Sequence, residues 1–156
     1  SKNLSVEISS DSSKSLILGQ SLSEDKYCDV DMELSYYFNA VNLLIKKGSK
    51  IVYYKPHPRS SDIKIRKLQN YANKNKQFVL LESNYPVELL LVKYKFSILV
   101  GMWSLPIVYS KELYGVDAYT LIPDLLEKTQ NKFFKKINDF LIKEFPNNFI
   151  DYRKIL

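Results

Sequence analysis

The chain contains one cysteine and one histidine in 156 residues. A single cysteine, Cys28, cannot form an internal disulfide, and it excludes a cysteine-rich metal site. Arginine is also scarce, since only three of the 23 basic residues are arginine. Nucleic-acid surfaces usually depend on arginine for bidentate contacts, so we expect no nucleic-acid partner. The net charge of +6 is carried by lysine, which indicates a phosphorylated ligand, an anionic membrane surface or simple solubility.

Long hydrophobic runs are missing too. No apolar run approaches the roughly 18 residues that a membrane span requires, and the serine-rich N-terminus does not resemble a secretory signal. We therefore expect a cytoplasmic protein. The chain does not start with methionine, so we expect it to be a piece of a longer protein. With 46% hydrophobic and 26% charged residues, it has the composition of one globular domain with a substantial core.

Short apolar runs alternate with segments of helical period along the chain. The predicted strands cover residues 15–19, 50–55, 78–81, 96–101 and 118–122. This alternation predicts an α/β fold in which a parallel sheet carries helices on both faces. We assign residues 1–14 to a tether or an added strand, and residues 15–156 to a single domain. The last helix, predicted over residues 126–145, is basic and aromatic; it covers the sheet or a neighbouring domain, or else contacts the inner face of the plasma membrane.

The most specific local pattern is Lys55-Pro56-His57-Pro58-Arg59, which directly follows a strand-like run. Each proline fixes its own φ and moves the preceding residue out of the helical region, so the histidine lies in a stiff, extended segment. A rigid donor between two cations suits a phosphate. The strand period places Lys55 on the same face as His57, which favours Lys55 over Arg59 as a second contact. A structural histidine bonded to a backbone carbonyl is the alternative.

Two further polar residues, Glu88 and Ser104, follow the ends of predicted strands. Ligands of parallel sheets bind at the carboxyl ends of the strands, so we expect both residues to converge with His57. Glu88 either accepts the ribose hydroxyls of a nucleotide or only complements a helix dipole, and Glu82 is a weaker candidate for the same task. Ser104 is a candidate N-cap whose hydroxyl can also donate to a phosphate.

Taken together, these segments resemble the C-terminal half of bacterial sialyltransferases, in particular the lipooligosaccharide sialyltransferases and the capsular polysialyltransferases. The likeness covers about residues 15–122 and rests on the ordered segments 16–25, 55–59, 86–88 and 100–104. Those families have a GT-B fold of two Rossmann-like domains, so the resemblance implies that this chain is the Rossmann-like donor half. It implies CMP-sialic acid as the donor substrate, with no separate cofactor and no metal.

The resemblance also implies roles for individual residues. His57 is expected to contact the donor phosphate and to stabilise the leaving CMP, Glu88 to bind the ribose, and Ser104 to bind the phosphate. The other substrate-binding residues that we expect are Lys55, Pro58, Arg59 and Gly101. One departure concerns the serine motif, which is often a Ser-Ser or Ser-Thr pair in the family, whereas here Trp103 and Leu105 flank a single serine.

The acidic general-base motif of these families lies in an N-terminal domain, which we expect this chain to lack. The full reaction would be an inverting transfer of sialic acid to a cell-surface glycan acceptor bound through that domain, and we expect the chain alone to be inactive. Two alternatives stay open. One is a CDP-alcohol phosphotransferase of teichoic-acid type, which has a similar His-Pro loop. The other is a non-catalytic anion-binding module, which would show a steep salt dependence of binding.

Overall fold

The structure is a computed structural model that describes residues 13–82 and 84–156. Within these residues the strands are β1 (Lys14–Leu18), β2 (Ile51–Lys55), β3 (Phe78–Leu80), β4 (Ile98–Gly101), β5 (Asp117–Thr120) and β6 (Ile150–Asp151). The helices are α1 (Val30–Lys46), α2 (Asp62–Lys74), α3 (Val87–Lys93), α4 (Leu105–Tyr114), α5 (Ile122–Thr129) and α6 (Lys132–Glu144). Lys14 thus belongs to β1, and residues 1–12 of the expected tether lie outside the described residues.

The six strands form one parallel sheet in the order β3-β2-β1-β4-β5-β6. This confirms the predicted Rossmann-like α/β class. All five residues of the central strand β1 are buried, as expected when helices cover both faces of a parallel sheet. Helix α1 supplies much of the cover, and its buried apolar residues are Leu34, Tyr36, Tyr37, Ala40, Val41 and Leu44.

The helix boundaries follow local signals in the sequence. Asp29 is the N-cap of α1 and accepts a hydrogen bond from the backbone N–H of Met32 at 2.7 Å. Gly48, just after the end of this helix, has a φ of 109°, a left-handed conformation that favours glycine. Ser61 caps α2 by accepting from the N–H of Lys64.

The order in which strands are added to the sheet reverses at β1. From β1 the chain proceeds outward through β2 and β3, then crosses back to β4 and continues to β5 and β6 on the other side. Leu18 pairs with Lys55 of β2, and Ile17 pairs with Val100 of β4. The switch point of the sheet therefore lies between β1 and β4, where ligands of open α/β sheets bind beyond the carboxyl ends of the strands.

The prediction of one helix over residues 126–145 was wrong, because two helices occupy this region. Helix α5 ends at Gln130, whose φ of 48° is left-handed. Asn131 then starts α6 by accepting hydrogen bonds from the N–H groups of Phe133 and Phe134. The hydrophobic period runs through this break, so only the paired cap residues mark it.

The last predicted strand was also too long. The strand β5 ends at Thr120, whose hydroxyl accepts from the N–H of Ile122 at 3.1 Å. Pro123 then lies in the first turn of α5, where its missing N–H carries no penalty. Residue 122, predicted as the end of the strand, is therefore the first residue of a helix. The two-residue strand β6 was not predicted, since so short a run carries no period.

Helix α6 is amphipathic on the folded domain. It buries Phe134 and Leu141, so it covers part of the core as predicted. Phe133, Phe140 and Ile142 are exposed on the same helix, and contact between this helix and a membrane surface stays a prediction. Among the residues that the structure describes, no helix is both long enough and apolar enough to cross a membrane.

Gly19, the first residue beyond β1, lies against the ring of Tyr54. A Cβ atom at residue 19 would overlap the Tyr54 hydroxyl oxygen and would lie 2.8 Å from Cζ. We expect Gly19→Ala to lower the free energy of unfolding by about 1–3 kcal/mol, because a buried aromatic ring must move. Urea denaturation measures this loss. Tyr54→Phe in the Gly19→Ala background should recover part of it, and an unchanged stability of Gly19→Ala would contradict the close packing.

Candidate functional site

A cleft of about 350 Å³ opens at the carboxyl ends of β1 and β2, beside the first turns of α3 and α4. Ser104 and Pro106, which follow β4, also line the cleft, so it reaches the switch point between β1 and β4. The residues that line it are Leu18, Gly19, Gln20, Lys55, Pro56, His57, Pro58, Val87, Ser104 and Pro106. Four of the predicted site residues, Lys55, His57, Pro58 and Ser104, therefore meet in one cavity.

The loop backbone fixes the imidazole of His57. The N–H of Arg59 donates to Nδ1 of His57 at 3.1 Å, and the carbonyl of His57 accepts from the N–H of Ser60. Because Nδ1 is an acceptor here, the neutral ring carries its proton on Nε2. The ring thus accepts a backbone N–H through Nδ1, which leaves Nε2–H as the donor that the ring can offer to a ligand.

The electrostatic surroundings of the cleft disfavour additional positive charge. Partial burial lowers the pKa of His57, and the nearby cations of Arg59, Lys64 and Lys55 lower it further, while Glu24 acts in the opposite direction. Burial likewise lowers the pKa of Lys55, opposed by the carboxylate of Glu88. An anion that enters the cleft would raise the pKa of both groups, because it favours their charged forms.

Because the chain has a single histidine, the pKa of His57 can be measured directly. We expect the imidazole of His57 to titrate below its ordinary value of 6.5 in the free protein, because burial and three cations favour the neutral ring. Nucleotide phosphate should raise that pKa, so binding takes up protons and strengthens as the pH falls from 7.5 toward 6.5. Proton–carbon NMR of the one histidine measures both values. A pKa at or above 6.5 without ligand, or no change with phosphate, would contradict this account.

Ser104 occupies the N-cap position of α4, as predicted, but its side chain makes no capping hydrogen bond. Its Oγ is buried and has no hydrogen-bond partner among the described residues. The first turn of α4 also carries no acidic residue, whereas α1 starts with Asp29, Asp31 and Glu33. The dipole of α4 therefore favours an anion, whereas the acidic start of α1 repels one. The N–H groups of the first turn contribute little, because Pro106 has none and the N–H of Ile107 donates to the carbonyl of Ser104 at 3.1 Å.

The remaining predicted residues lie around the cleft, outside its described lining. The guanidinium of Arg59 donates to Asp25 at 3.0 Å and to Ser21 Oγ at 2.9 Å, so it holds the preceding loop. Glu88, on α3, accepts from the hydroxyl of Tyr109 at 3.0 Å. Direct contact of Arg59 and Glu88 with a substrate stays a prediction.

Gly101, at the end of β4, allows the close approach of α4. A Cβ atom at this position would lie 2.6 Å from Cδ1 of the buried Ile107 and 3.4 Å from the Leu18 side chain. The backbone carbonyl of Gly101 accepts from the N–H of Leu121 at 2.8 Å. The glycine thus helps to place the first turn of α4, and hence Ser104, beside β1, and its own contact with a substrate stays a prediction.

Sequence reasoning missed Gln20 and the network that holds the loop between β1 and α1. The loop between β1 and α1 contains one glycine, Gly19, so it is not a glycine-rich phosphate loop. Buried charges hold it in place: Lys64 Nζ lies 2.7 Å from Glu33 Oε1, and the side chains of Lys64 and Glu33 are both 0% exposed. Lys64 also pairs with Glu24 and donates to the carbonyl of Gln20 at 3.0 Å.

The sequence does contain a weak signal for this network. Lys64 lies four residues before the buried Leu68, on the stripe that α2 turns toward the core. Glu33 stands in the same relation to the buried Tyr37 of α1. The apolar Ile63, one residue before Lys64, is 57% exposed instead. A charged residue on a buried stripe predicts a buried partner of opposite charge.

The strand order, the switch-point cleft and the buried hydroxyl of Ser104, which has no partner among the described residues, define a Rossmann-like α/β domain with a candidate site for an anionic ligand. Within that class, a family model described as alpha-2,8-polysialyltransferase (POLYST) matches residues 2–122. The chain belongs to this family, and it is therefore a sialyltransferase-like glycosyltransferase domain. Membership implies a nucleotide-sugar donor and a glycan acceptor. No curated protein and no solved structure matches the chain significantly.

Proposed function

We propose that the chain is the donor-nucleotide half of a GT-B sialyltransferase and binds CMP-sialic acid in the switch-point cleft. The observation that carries this proposal is the buried hydroxyl of Ser104 at the start of α4, which has no hydrogen-bond partner within residues 13–82 and 84–156. It lies in the same cleft as His57 and Lys55. A phosphodiester would accept from Ser104 and from Nε2–H of His57, and the ammonium of Lys55 would balance its charge. The family match supports sialic acid as the transferred sugar.

We place the ribose toward α3. Val87 lines the cleft, and the next residue, Glu88, lies close enough to Lys55 to affect its pKa. A carboxylate beside the cleft can accept both ribose hydroxyls. Its present partner, the hydroxyl of Tyr109, is a donor that a ribose hydroxyl can replace or join.

The proposed reaction is a displacement at the anomeric carbon. An acceptor hydroxyl oxygen bonds to that carbon while the bond from the carbon to the phosphate oxygen breaks, and the electron pair leaves with CMP. The phosphate charge grows by one unit, and the donors of His57 and Ser104 stabilise that growing charge. The acceptor proton passes to a general base, and attack from the opposite side inverts the anomeric centre.

We propose that the general base and the acceptor site belong to an N-terminal domain of the same enzyme. Three carboxylates near the cleft already hold partners. The pairs are Glu24–Lys64, Asp25–Arg59 and Glu88–Tyr109. A carboxylate held by a cation has a lowered pKa and is a weak base, which makes Glu24 and Asp25 poor candidates.

The test is a comparison of nucleotide affinities by NMR titration of this chain. We expect saturable binding of CMP and CMP-sialic acid, with shifts centred on His57, Glu88 and Ser104, and weaker binding of UMP and AMP. Stronger binding of CDP-glycerol than of CMP-sialic acid would favour a teichoic-acid type phosphotransferase. Equal binding of every nucleotide, with a steep salt dependence, would favour a non-catalytic anion-binding module. Either result would overturn the proposal.

A further inference from the structure

We propose that the side-chain amide of Gln20 binds the phosphate of the nucleotide donor, an inference that rests on the proposed function of the cleft. Gln20 follows the central strand β1 and lines the cleft together with His57 and Ser104. Leu18 and Lys55 are the last paired residues of β1 and β2, and Gln20 and His57 each lie two residues further along. The two residues thus lie at the same level, just beyond the ends of two neighbouring strands.

The backbone of Gln20 is fixed on both sides of the residue. Its N–H donates to the hydroxyl of Tyr37 at 2.9 Å, and its carbonyl accepts from Lys64 Nζ at 3.0 Å. Tyr37 in turn donates to Glu33 at 3.0 Å, so both contacts belong to one buried network. Such a double anchor places a side chain with the precision that recognition of a small ligand requires.

The side-chain amide itself has no hydrogen-bond partner in the described part of the chain. The hydrogen bonds that hold Gln20 in the loop are made by its backbone N–H and carbonyl. The side-chain amide is therefore not needed to hold the turn. Folds with a glycine-rich first turn present backbone N–H groups to the phosphate at this point. Here the turn has a single glycine, Gly19, and a side-chain amide can supply the missing donor.

Gln20 would complete a set of donors from three different elements. His57 comes from the loop after β2, Ser104 from the start of α4, and Gln20 from the loop after β1. An amide donates through Nε2 while carrying no charge, so it adds a hydrogen bond without adding to the repulsion among Lys55, Arg59 and Lys64. The uncharged donor is thus suited to a site where positive charge is already costly.

The test compares CMP with cytidine, which lacks the phosphate, as ligands of the whole chain. Gln20→Ala should weaken CMP binding roughly 10- to 100-fold, the range for a hydrogen bond to a charged group. Gln20→Glu should weaken it at least as much, because its carboxylate repels the phosphate. Cytidine affinity and the unfolding midpoint should stay unchanged in both variants. Gln69→Glu, an exposed residue on α2, is the control for the charge change and should bind CMP like the original chain.

The outcomes separate this inference from the proposed function. Unchanged CMP affinity in Gln20→Glu, or an equal loss for CMP and cytidine, would overturn the phosphate contact while leaving the donor cleft in place. Failure of the unaltered chain to bind CMP at all would instead overturn the proposed function, and the inference with it. A loss confined to CMP, with unchanged stability, supports the contact.

Discussion

Replacing His57 with alanine is expected to lower the rate of sialic acid transfer by on the order of 100- to 1,000-fold, the usual cost of removing one donor from a developing oxyanion. The phosphate carries more negative charge in the transition state than in the bound donor, so the loss should appear mainly in kcat. The assay is CMP release from CMP-sialic acid by the enzyme with its acceptor-binding parts. Full activity of His57→Ala would contradict the proposed mechanism.

Two amide substitutions separate a role in the chemistry from a role in the loop. His57→Asn places an oxygen near the position of Nδ1, where it can still accept from the N–H of Arg59, but it removes the donor at Nε2. His57→Gln places an amide nearer to Nε2 and retains a donor there. We expect His57→Asn to be as defective as His57→Ala, and His57→Gln to recover part of the rate. The reverse order would make His57 a loop-stabilising residue.

Replacing Lys64 with methionine should lower the free energy of unfolding by about 3–5 kcal/mol, because removing one partner of a buried ion pair leaves an uncompensated buried charge. The carboxylate of Glu33 is 0% exposed beside it, and the carbonyl of Gln20 would lose its donor as well. Methionine keeps most of the volume, so the loss reports the charge. Urea denaturation followed by circular dichroism measures it.

Lys67→Met is the matched control on the same helix. Lys67 pairs with Asp31, but the two side chains are 43% and 77% exposed, and pairs of this kind contribute about 0–1 kcal/mol. We expect the control to stay within that range. A loss for Lys64→Met as small as that of the control would show that the buried network does not hold the loop.

The pH dependence gives the Lys64 prediction a second readout. Burial alone would raise the pKa of Glu24, but hydrogen bonds from Lys64 and from the N–H of Ser61 outweigh burial and hold it below its ordinary value of 4.5. A carboxylate with a lowered pKa stabilises the fold above its ordinary pKa, and this contribution is lost as the pH falls through the lowered value. The difference in stability between the original chain and Lys64→Met should therefore narrow below about pH 4.5.

Much of the fold could be predicted because it depends on local chemistry. The hydrophobic period and the length of a segment separate strands from helices. Ser61 marks a helix start because its side chain can accept a backbone N–H. Gly48 marks a helix end because glycine readily adopts a positive φ. The break at Gln130 and Asn131 was missed because an apolar period can continue across two helices that pack on the same core. The short strand β6 was missed because two residues cannot show a period.

The candidate site was predictable to the extent that its residues follow strand ends. His57 and Ser104 meet because parallel strands bring their carboxyl ends to one edge, and this follows from the alternating pattern alone. The direction of the Arg59 side chain did not follow, since its partner Asp25 lies 34 residues away. Gln20 was missed because a single glutamine after a strand has no distinguishing pattern.

By itself, the sequence determined the class of fold, the strand-end position of the His-Pro loop and the likeness to sialyltransferases, all of which rest on local period, proline stiffness and residue order. Only the tertiary structure decided which charged residues line the cleft and which form buried ion pairs. Lys64 and Glu33 carry the same charges as many surface residues, yet both are fully buried. Burial makes an unpaired charge costly, and which charges are buried together depends on the packing of α1 against α2, which no local pattern encodes.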